Sequence, residues 1–350
     1  MNEYTDVMEL SDAADDASSD MFVLDRLQAV DADELSAPAL EMVGIILKSV
    51  TDRLGMPARQ VALESDAMKD DIAAKQNTIW ATIKKFFVEF YQKVVKYIKS
   101  FFDRSKEIED KIDTLEKILA APKPVATEAA SDFTLRDSVI SHLALGGKVS
   151  FKGTDILVAN SLTVLKDCVN LTLFLKHTIE SLIEAANSSF DALADVVLTA
   201  DEVWPTKGWH DKLPMANGCV YATKGPKSGI YVALQKVDSK TAIPEPMSLP
   251  EAVRLLANVK VLNEASLKYM RKYESESKAI NKDILTLLDL CSNLTKSLTD
   301  QSKIKILNDT KRLVMELKSI DMFCGVQVNN SVSGLIFNAL NYINESHKYS

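Results

Sequence analysis

The sequence is poor in the residues that build tight turns and cross-links. Its 350 residues include only 11 glycines, 10 prolines and 4 cysteines. Sheet-rich folds need many tight turns, which glycine and proline usually supply, so their scarcity disfavours such folds and favours long helices. The cysteines lie far apart without CxxC or CxxxC spacing, which argues against a disulfide framework and favours synthesis in a reducing cytoplasm.

Recognisable catalytic and ligand-binding motifs are also missing. The four histidines are scattered, and none has a second histidine, a cysteine or an acidic residue at metal-ligand spacing. Dinucleotide-binding, nucleophile-elbow and HExxH motifs do not occur, and Gly146-Gly147-Lys148 lacks the spacing of a phosphate loop and is expected to end a helix. The sequence therefore predicts a non-enzymatic protein with no metal site and no cofactor.

Charge is distributed unevenly along the chain. Residues 1–64 contain 14 acidic and 4 basic residues, which leaves 35 acidic and 37 basic residues for 65–350. These parts therefore have formal net charges of −10 and +2, which together make the −8 of the whole chain. The change occurs at Ala62-Leu63-Glu64, directly before Ser65. We interpret residues 1–64 as an acidic propeptide on a nearly neutral body.

The propeptide itself has two parts. Residues 1–20 are rich in Asp, Ser and Ala and contain few apolar residues, so they cannot bury enough surface to offset their ordering entropy and are predicted to be disordered. Residues 21–56 are predicted to be helical, because apolar residues recur at steps of three and four after a Ser36 N-cap. Gly55 and Pro57 are expected to end this helix.

The strongest periodicity of the chain follows this segment. From Ile79 to Leu119, apolar residues repeat mostly at alternating steps of four and three, which predicts a long amphipathic helical segment over 65–121. The proline-containing stretch 122–131 is predicted to be a linker, and residues 132–350 a helical body. Within that body we expect helical structure from 252 to about 320 and a last helix from about 331 to 342.

One part of the body has a different pattern. Residues 204–238 contain several turn signals around two strand-like runs, Cys219–Thr223 and Gly229–Val237, and are predicted to form a small β-hairpin insertion. The predicted fold is therefore mainly α: an elongated multi-helix bundle with long amphipathic helices and this insertion. An enzyme with an unrecognised site near the insertion stays an alternative, because turns and aromatic residues gather there.

A basic and aromatic stretch begins the long helix. Three roles fit it: a bundle helix whose apolar stripe faces the core, a helix lying on an anionic membrane, and a helix contacting DNA phosphates. Its lysines are too costly at the centre of a bilayer for a spanning helix. The candidate contact residues for a membrane or DNA are Trp80, Lys84, Lys85, Lys93, Lys96 and Lys99.

A protease site is the second candidate functional feature. Small-x-Glu triplets occur several times, including Ser105-Lys106-Glu107, so the triplet alone is not specific. Ala62-Leu63-Glu64 stands out because it follows a Gly-x-Pro helix stop and coincides with the change in charge, which predicts cleavage before Ser65. The triplet ending at Glu41 is a secondary candidate, although it lies inside a predicted helix that would hide the bond from a protease.

With these residues, the chain resembles the internal head (inner body) proteins of giant tailed bacteriophages. Such proteins have a disposable N-terminal propeptide, an Ala/Ser-x-Glu site for the prohead maturation protease, and a following helix rich in Trp, Phe and Lys. The matching residues here are Ala62-Leu63-Glu64, Ser65, and the stretch from Ile79-Trp80 to Phe101-Phe102. The resemblance covers about 60 residues well, and the rest of the chain fits as a helical body.

The resemblance implies a virion structural protein that is made in the host cytoplasm and packaged inside the capsid as a precursor. Its expected partners are the prohead maturation protease, other capsid or inner-body proteins, and nearby DNA contacted without sequence specificity. Ejection with the DNA would follow. A membrane-active or pore-forming effector that uses helix 79–102 is the alternative function, and it would make transient membrane contact.

Overall fold

Long helices dominate the part of the chain that the structure describes. The structure is a computed structural model and describes residues 65–121, 133–200, 213–224, 231–236, 242–295 and 300–349. The predicted disordered segment 1–20, the predicted helix 21–56 and the predicted linker 122–131 lie outside the described residues. The domain boundaries proposed from the sequence stay predictions.

The helical elements confirm the prediction of a mainly α, multi-helix protein with a small β insertion. A π-helical turn, Phe323–Gln327, joins the last two helices. In chain order the helices are α1 (Ser65–Ala120), α2 (Asp137–Leu143), α3 (Phe151–Ser188), α4 (Phe190–Thr199), α5 (Leu249–Thr295), α6 (Gln301–Met322) and α7 (Val328–Tyr349).

Local capping explains where several helices begin. The Ser248-Leu-Pro-Glu251 sequence forms a capping box, in which the Glu251 carboxylate accepts hydrogen bonds from the Ser248 backbone N–H at 2.9 Å and hydroxyl at 2.7 Å. At the start of α6, the Asp300 carboxylate accepts from the Ser302 N–H at 2.9 Å. The Ser302 hydroxyl, which donates to the same carboxylate at 2.7 Å, and the Ser302 N–H together lower the pKa of Asp300. The carboxylates satisfy backbone or side-chain donors that the first helical turn leaves without partners.

The sequence predicted helical structure over 252–320 and 331–342, but the positions at which it placed the helix ends were wrong. One helix ends at Thr295 and the next begins at Gln301, and the chain is helical through 323–327, where the sequence pattern predicted an interruption. A π-turn inserts extra backbone into a helix without ending it, so the apolar period shifts although the helix continues.

The β insertion forms a three-stranded antiparallel sheet with order β2-β3-β4. The predicted hairpin is present as β3 (Cys219–Lys224) and β4 (Tyr231–Lys236), and β2 (Leu213–Met215) adds a strand that the sequence did not predict. Asn217 and Gly218 have positive φ angles of 61° and 63°, which gives the twist needed between β2 and β3.

A second, smaller β element links α2 to α5. The two-residue strands β1 (Lys148–Val149) and β5 (Ile243–Pro244) pair in parallel. Gly146 and Gly147, both at positive φ, turn the chain between α2 and β1, as expected for the residues that follow a helix end.

The described residues belong to two compact units. One contains 95–177, 200–278 and 316–350, and its core includes Leu157, Leu171, Leu255, Leu335 and Tyr342, all fully buried. In this unit α2 packs on α7. The other contains, of the described residues, 65–94, 178–199, 279–295 and 300–315, and its core includes Leu182, Leu193, Leu287 and Leu307. Each core is aliphatic, as expected for amphipathic helices that bury one face.

One described helix, α3, is long and apolar enough to cross a membrane by length and composition. Its most apolar 18-residue window has a mean hydropathy of 1.3, and 44% of that window is buried inside the fold. Leu157, Leu171 and Leu182 on this helix are fully buried. A helix that forms the core of a fold has the same length and composition, so this feature alone assigns no membrane role.

Candidate functional site

The inner face of α1 is a core surface in its described C-terminal part. Along this face the apolar residues recur mostly at steps of three, four and seven, and each is at most 8% exposed. They are Val94, Tyr97, Ile98, Phe101, Ile108, Ile112, Leu115 and Leu119. The apolar stripe that could have served a membrane is therefore packed inside the fold over these residues, as a bundle helix requires.

The outer face of α1 carries charge of both signs. Six exposed residues follow one another at steps of three and four on this face. Steps of this size keep side chains on one line along a helix. They are Lys96, Lys99, Asp103, Lys106, Asp110 and Asp113, and we call them the charged stripe. Of the lysines proposed for membrane or DNA contact, two therefore lie on an exposed face that also contains carboxylates.

The remaining candidate contact residues are in different environments. The Lys84 ammonium lies 2.6 and 2.7 Å from the two carboxylate oxygens of Asp289, an ion pair with 43% and 55% of the side chains exposed. Lys93 is half-buried. The side chains of Trp80 and Lys85 lie outside the described residues. The structure therefore does not gather the six predicted contact residues into one basic surface within the described part of the chain.

The predicted cleavage site lies at the start of α1. Ser65 is the first residue of this helix, whereas Ala62, Leu63 and Glu64 lie outside the described residues. The competing triplet ending at Glu107 is inside α1, where Ser105 is 4% exposed and donates a hydrogen bond to the Phe101 carbonyl at 2.9 Å. A protease needs an accessible and extended substrate, so the Glu107 triplet is not accessible in the folded chain.

A buried polar cluster surrounds the π-turn and was not anticipated from the sequence. The Tyr273 hydroxyl donates a hydrogen bond to the Asp321 carboxylate at 2.8 Å. A Cβ placed on Gly325 would lie only 2.2 Å from the same hydroxyl oxygen, so only glycine fits there. Burial raises the pKa of Asp321 to about 6. The π-turn thus allows a tyrosine to cross close to its backbone.

The carbonyl groups of the π-turn have side-chain partners. Asn329 donates to the Cys324 carbonyl at 2.9 Å, and Tyr269 donates to the same oxygen at 3.3 Å. The Cys324 thiol lies 3.9 Å from the Cys168 carbonyl, and burial raises the pKa values of the Cys168 thiol and the Tyr269 hydroxyl. A raised thiol pKa disfavours the reactive thiolate, so these contacts serve structure rather than nucleophilic chemistry.

The β insertion is attached to this cluster through Tyr221. Its ring stacks on Phe323 with a centroid distance of 5.6 Å, and its hydroxyl donates to the Asp167 carboxylate at 3.1 Å. Burial raises the pKa of Tyr221, which keeps the hydroxyl protonated as a donor. The insertion therefore supports the π-turn through an aromatic and a polar contact.

The described residues offer little room for a small ligand near the cluster. A cleft beside Thr172, Tyr269 and Tyr273 has a volume of about 10 Å³, and the Lys176–Glu276 ion pair of 3.0 Å lines it. This volume suits about one water molecule. Among the described residues there is also no group of three or more His, Cys, Asp or Glu side chains placed to hold a metal ion.

Because burial raises the pKa of Asp321, we expect the stability of the protein to depend on pH. The carboxyl is protonated in the folded chain up to about pH 6, whereas its ordinary pKa is 3.8. Between these values the folded state binds more protons than the unfolded state, so the free energy of unfolding falls as pH rises and the loss is complete above the folded pKa. Asp321→Asn keeps an acceptor for Tyr273 without a charge and is expected to increase the stability by about 1 to 3 kcal/mol above about pH 7.

Urea unfolding followed by circular dichroism at about pH 5 and about pH 7.5 measures this effect. The free energy of unfolding of the wild type should fall between these pH values relative to that of Asp321→Asn. The variant Asp195→Asn, at an exposed helical position, should retain the wild-type difference. If the free energy of unfolding of Asp321→Asn still falls with pH as steeply as that of the wild type, another group causes the pH dependence.

A comparison with protein families gives one match. Residues 5–165 match the family described as phiKZ-like phage internal head proteins. This part, slightly less than half of the chain, is similar to that family. The match includes the acidic segment, the charge boundary, all of α1 and α2, and the beginning of α3. No curated protein and no solved structure matched the chain.

The family match indicates the class and the location of the protein. The match supports a structural internal head protein of a jumbo phage, and the family description implies a place inside the phage head. The resemblance drawn from residues 62–65 and 79–102 is confirmed at this level. The match also extends over the acidic segment and beyond the resembling residues, from residue 5 to residue 165.

Proposed function

We propose that this internal head protein is made in the host cytoplasm, packaged into the prohead as a precursor, and cleaved by the prohead maturation protease between Glu64 and Ser65. The observation that carries this proposal is the position of Ser65 as the first residue of α1. Cleavage there would remove the acidic segment and leave the long helix whole. The Ala62-Leu63-Glu64 triplet and the charge boundary coincide at this one bond.

Cleavage would change how the protein interacts with packaged DNA. Loss of residues 1–64 removes a formal charge of −10 and changes the net charge from −8 to +2. Dense phosphate repels a protein of net charge −8 and has little net repulsion for one of +2. A net charge of +2 is too small for strong binding, so we propose that the mature protein tolerates DNA as a neighbour without reading its sequence.

The remaining steps are proposals of the same kind. Other capsid or inner-body proteins would hold the mature protein inside the head, and it would leave the head with the DNA during infection. The described residues give no support for an enzyme. Beside the π-turn, the pKa of the Cys168 thiol is raised and the Cys324 thiol contacts the Cys168 carbonyl. We therefore propose a non-enzymatic role.

The alternative of a membrane-active effector requires a rearrangement of α1. The apolar residues on the inner face of 94–119 are buried, so this part of the helix must leave its core before it can enter a bilayer. Flotation of the 65–350 fragment with anionic vesicles at low salt tests this alternative. We expect no vesicle-bound fraction, and stable binding together with leakage of the vesicles would favour the effector.

The test of maturation is the N-terminus of the protein isolated from virus particles. Intact-mass and N-terminal analysis should show a chain that begins at Ser65 and has lost the first 64 of its 350 residues. A particle-associated chain that still begins near Met1 would contradict the processing step, and a start after Glu41 would assign cleavage to the secondary site.

A further inference from the structure

The order of charges along the charged stripe is self-complementary. Reading from the N-terminal end, the six residues have the signs plus, plus, minus, plus, minus, minus. Read from the other end with every sign reversed, the order is the same. A second copy of α1 that runs antiparallel would therefore meet each cation of these six residues with a carboxylate, whereas Lys117, the next exposed residue on the line, would face the neutral Gln92.

The spacing is as regular as the order of signs. The antiparallel partners are Lys96 with Asp113, Lys99 with Asp110, and Asp103 with Lys106, and all three pairs have their midpoint between residues 104 and 105. Because a helix rises about 1.5 Å per residue, partners at equal distances from one midpoint lie at the same height on two antiparallel helices. A two-fold axis through this midpoint would form each pair twice.

These six side chains are available for such pairing. All are exposed, and within the described part of the chain none forms an ion pair of 4.0 Å or less. The neighbouring Glu116, in contrast, is already bound by the Lys260 ammonium at 2.7 Å. The charged stripe is therefore complementary in charge to a second copy of itself that runs in the opposite direction.

We propose that the charged stripe is a docking surface for a second copy of this chain, in which two α1 helices pack antiparallel about an axis between residues 104 and 105. Such a contact is isologous, because the same patch serves both copies. Phe102 is half-exposed beside the stripe and close to the midpoint, so the rings of both copies lie near the axis and add apolar contact.

The signs on the stripe favour a protein partner over nucleic acid. Asp103, Asp110 and Asp113 alternate with or follow the lysines, and they repel phosphates that the lysines attract. A copy of the same helix satisfies both signs at once. Exposed ion pairs contribute little individually, so the dimer should be weak and should dissociate as salt screens the charges.

Charge reversal with compensation tests the proposal on the full chain. The double variant Lys96→Glu with Lys99→Glu places like charges opposite each other in four of the six pairs, and so does Asp110→Lys with Asp113→Lys. Sedimentation equilibrium at low ionic strength should show a dissociation constant raised about tenfold or more for each double variant alone. An equimolar mixture of the two double variants should recover the wild-type constant, because every pair is then of opposite sign.

The quadruple variant provides the matched control. It contains all four reversals, restores opposite charge in its own homodimer, and should dimerise like the wild type. Circular dichroism and thermal unfolding of each variant show whether the fold is retained. A wild-type chain that stays monomeric at concentrations on the order of 100 µM at low salt would overturn the proposal. So would a dimer unaffected by the double variants, a failure of the mixture or of the quadruple variant to recover binding, or salt-sensitive association that needs added DNA.

Discussion

Protein from particles that contain the Glu64→Gln variant is expected to keep its full length. Glutamine has nearly the size of glutamate but no charge, so the change removes the feature that the protease is proposed to read while leaving Ser65 and α1 unaltered. A site that binds a buried charged group rejects its neutral analogue strongly, and we expect cleavage to slow by on the order of 10²-fold or more. Intact-mass analysis of particle-associated protein measures the result.

Glu107→Gln is the matched control for this experiment. Glu107 completes the same kind of small-x-Glu triplet, but the triplet lies within α1 beside the buried Ser105. This variant should be processed like the wild type. A shortened chain from Glu64→Gln that still begins at Ser65 would show that the protease does not require the Glu64 carboxylate. Loss of processing in Glu107→Gln would show that the helix opens before cleavage.

Gly325→Ala is expected to destabilise the unit that contains the π-turn more than any other alanine substitution of a described helical glycine. The new Cβ would lie 2.2 Å from the Tyr273 hydroxyl oxygen and 2.4 Å from the carbon that bears it. Tyr273 is 1% exposed and bonded to Asp321, so it cannot move away without losing packing and a hydrogen bond. We expect a loss of about 3 to 5 kcal/mol in the free energy of unfolding.

Gly334→Ala tests whether the effect comes from this contact. A Cβ on Gly334 would lie 3.3 Å from the half-buried His142 ring, and the glycine is in the helix α7. Because alanine favours helix, this control should change stability by no more than about 1 kcal/mol. Urea unfolding compares the two variants. In a Tyr273→Ala background, the added cost of Gly325→Ala should largely disappear, and equal costs in both backgrounds would contradict the clash.

The long helices could be predicted because their information is local. The alternation of three and four residues from Ile79 to Leu119 identifies a helix and its apolar face without any partner, and the Ser248–Glu251 capping box marks a helix start. The strand-like runs after Cys219 likewise predicted a hairpin. The strand Leu213–Met215 was missed because three residues provide too short a pattern.

The π-turn could not be predicted because it depends on residues far apart in sequence. Phe323-Cys324-Gly325 shows a glycine in an apolar run, which indicates a close approach but not the group that approaches. Tyr273 lies 48 positions before Asp321, and their contact forms only when α5 and the end of α6 pack together. Side-chain chemistry at such a site is set by packing rather than by spacing.

The candidate contact residues show the same division between local pattern and packing. Sequence alone determined the charge boundary before Ser65, the long helix that follows it, and the family to which residues 5–165 are similar, because each is a property of consecutive residues. Only the tertiary structure decided that Lys84 is paired with Asp289, 205 positions away, while Lys96 and Lys99 are exposed. Whether a lysine on a helix is available to a partner depends on what the rest of the chain places beside it.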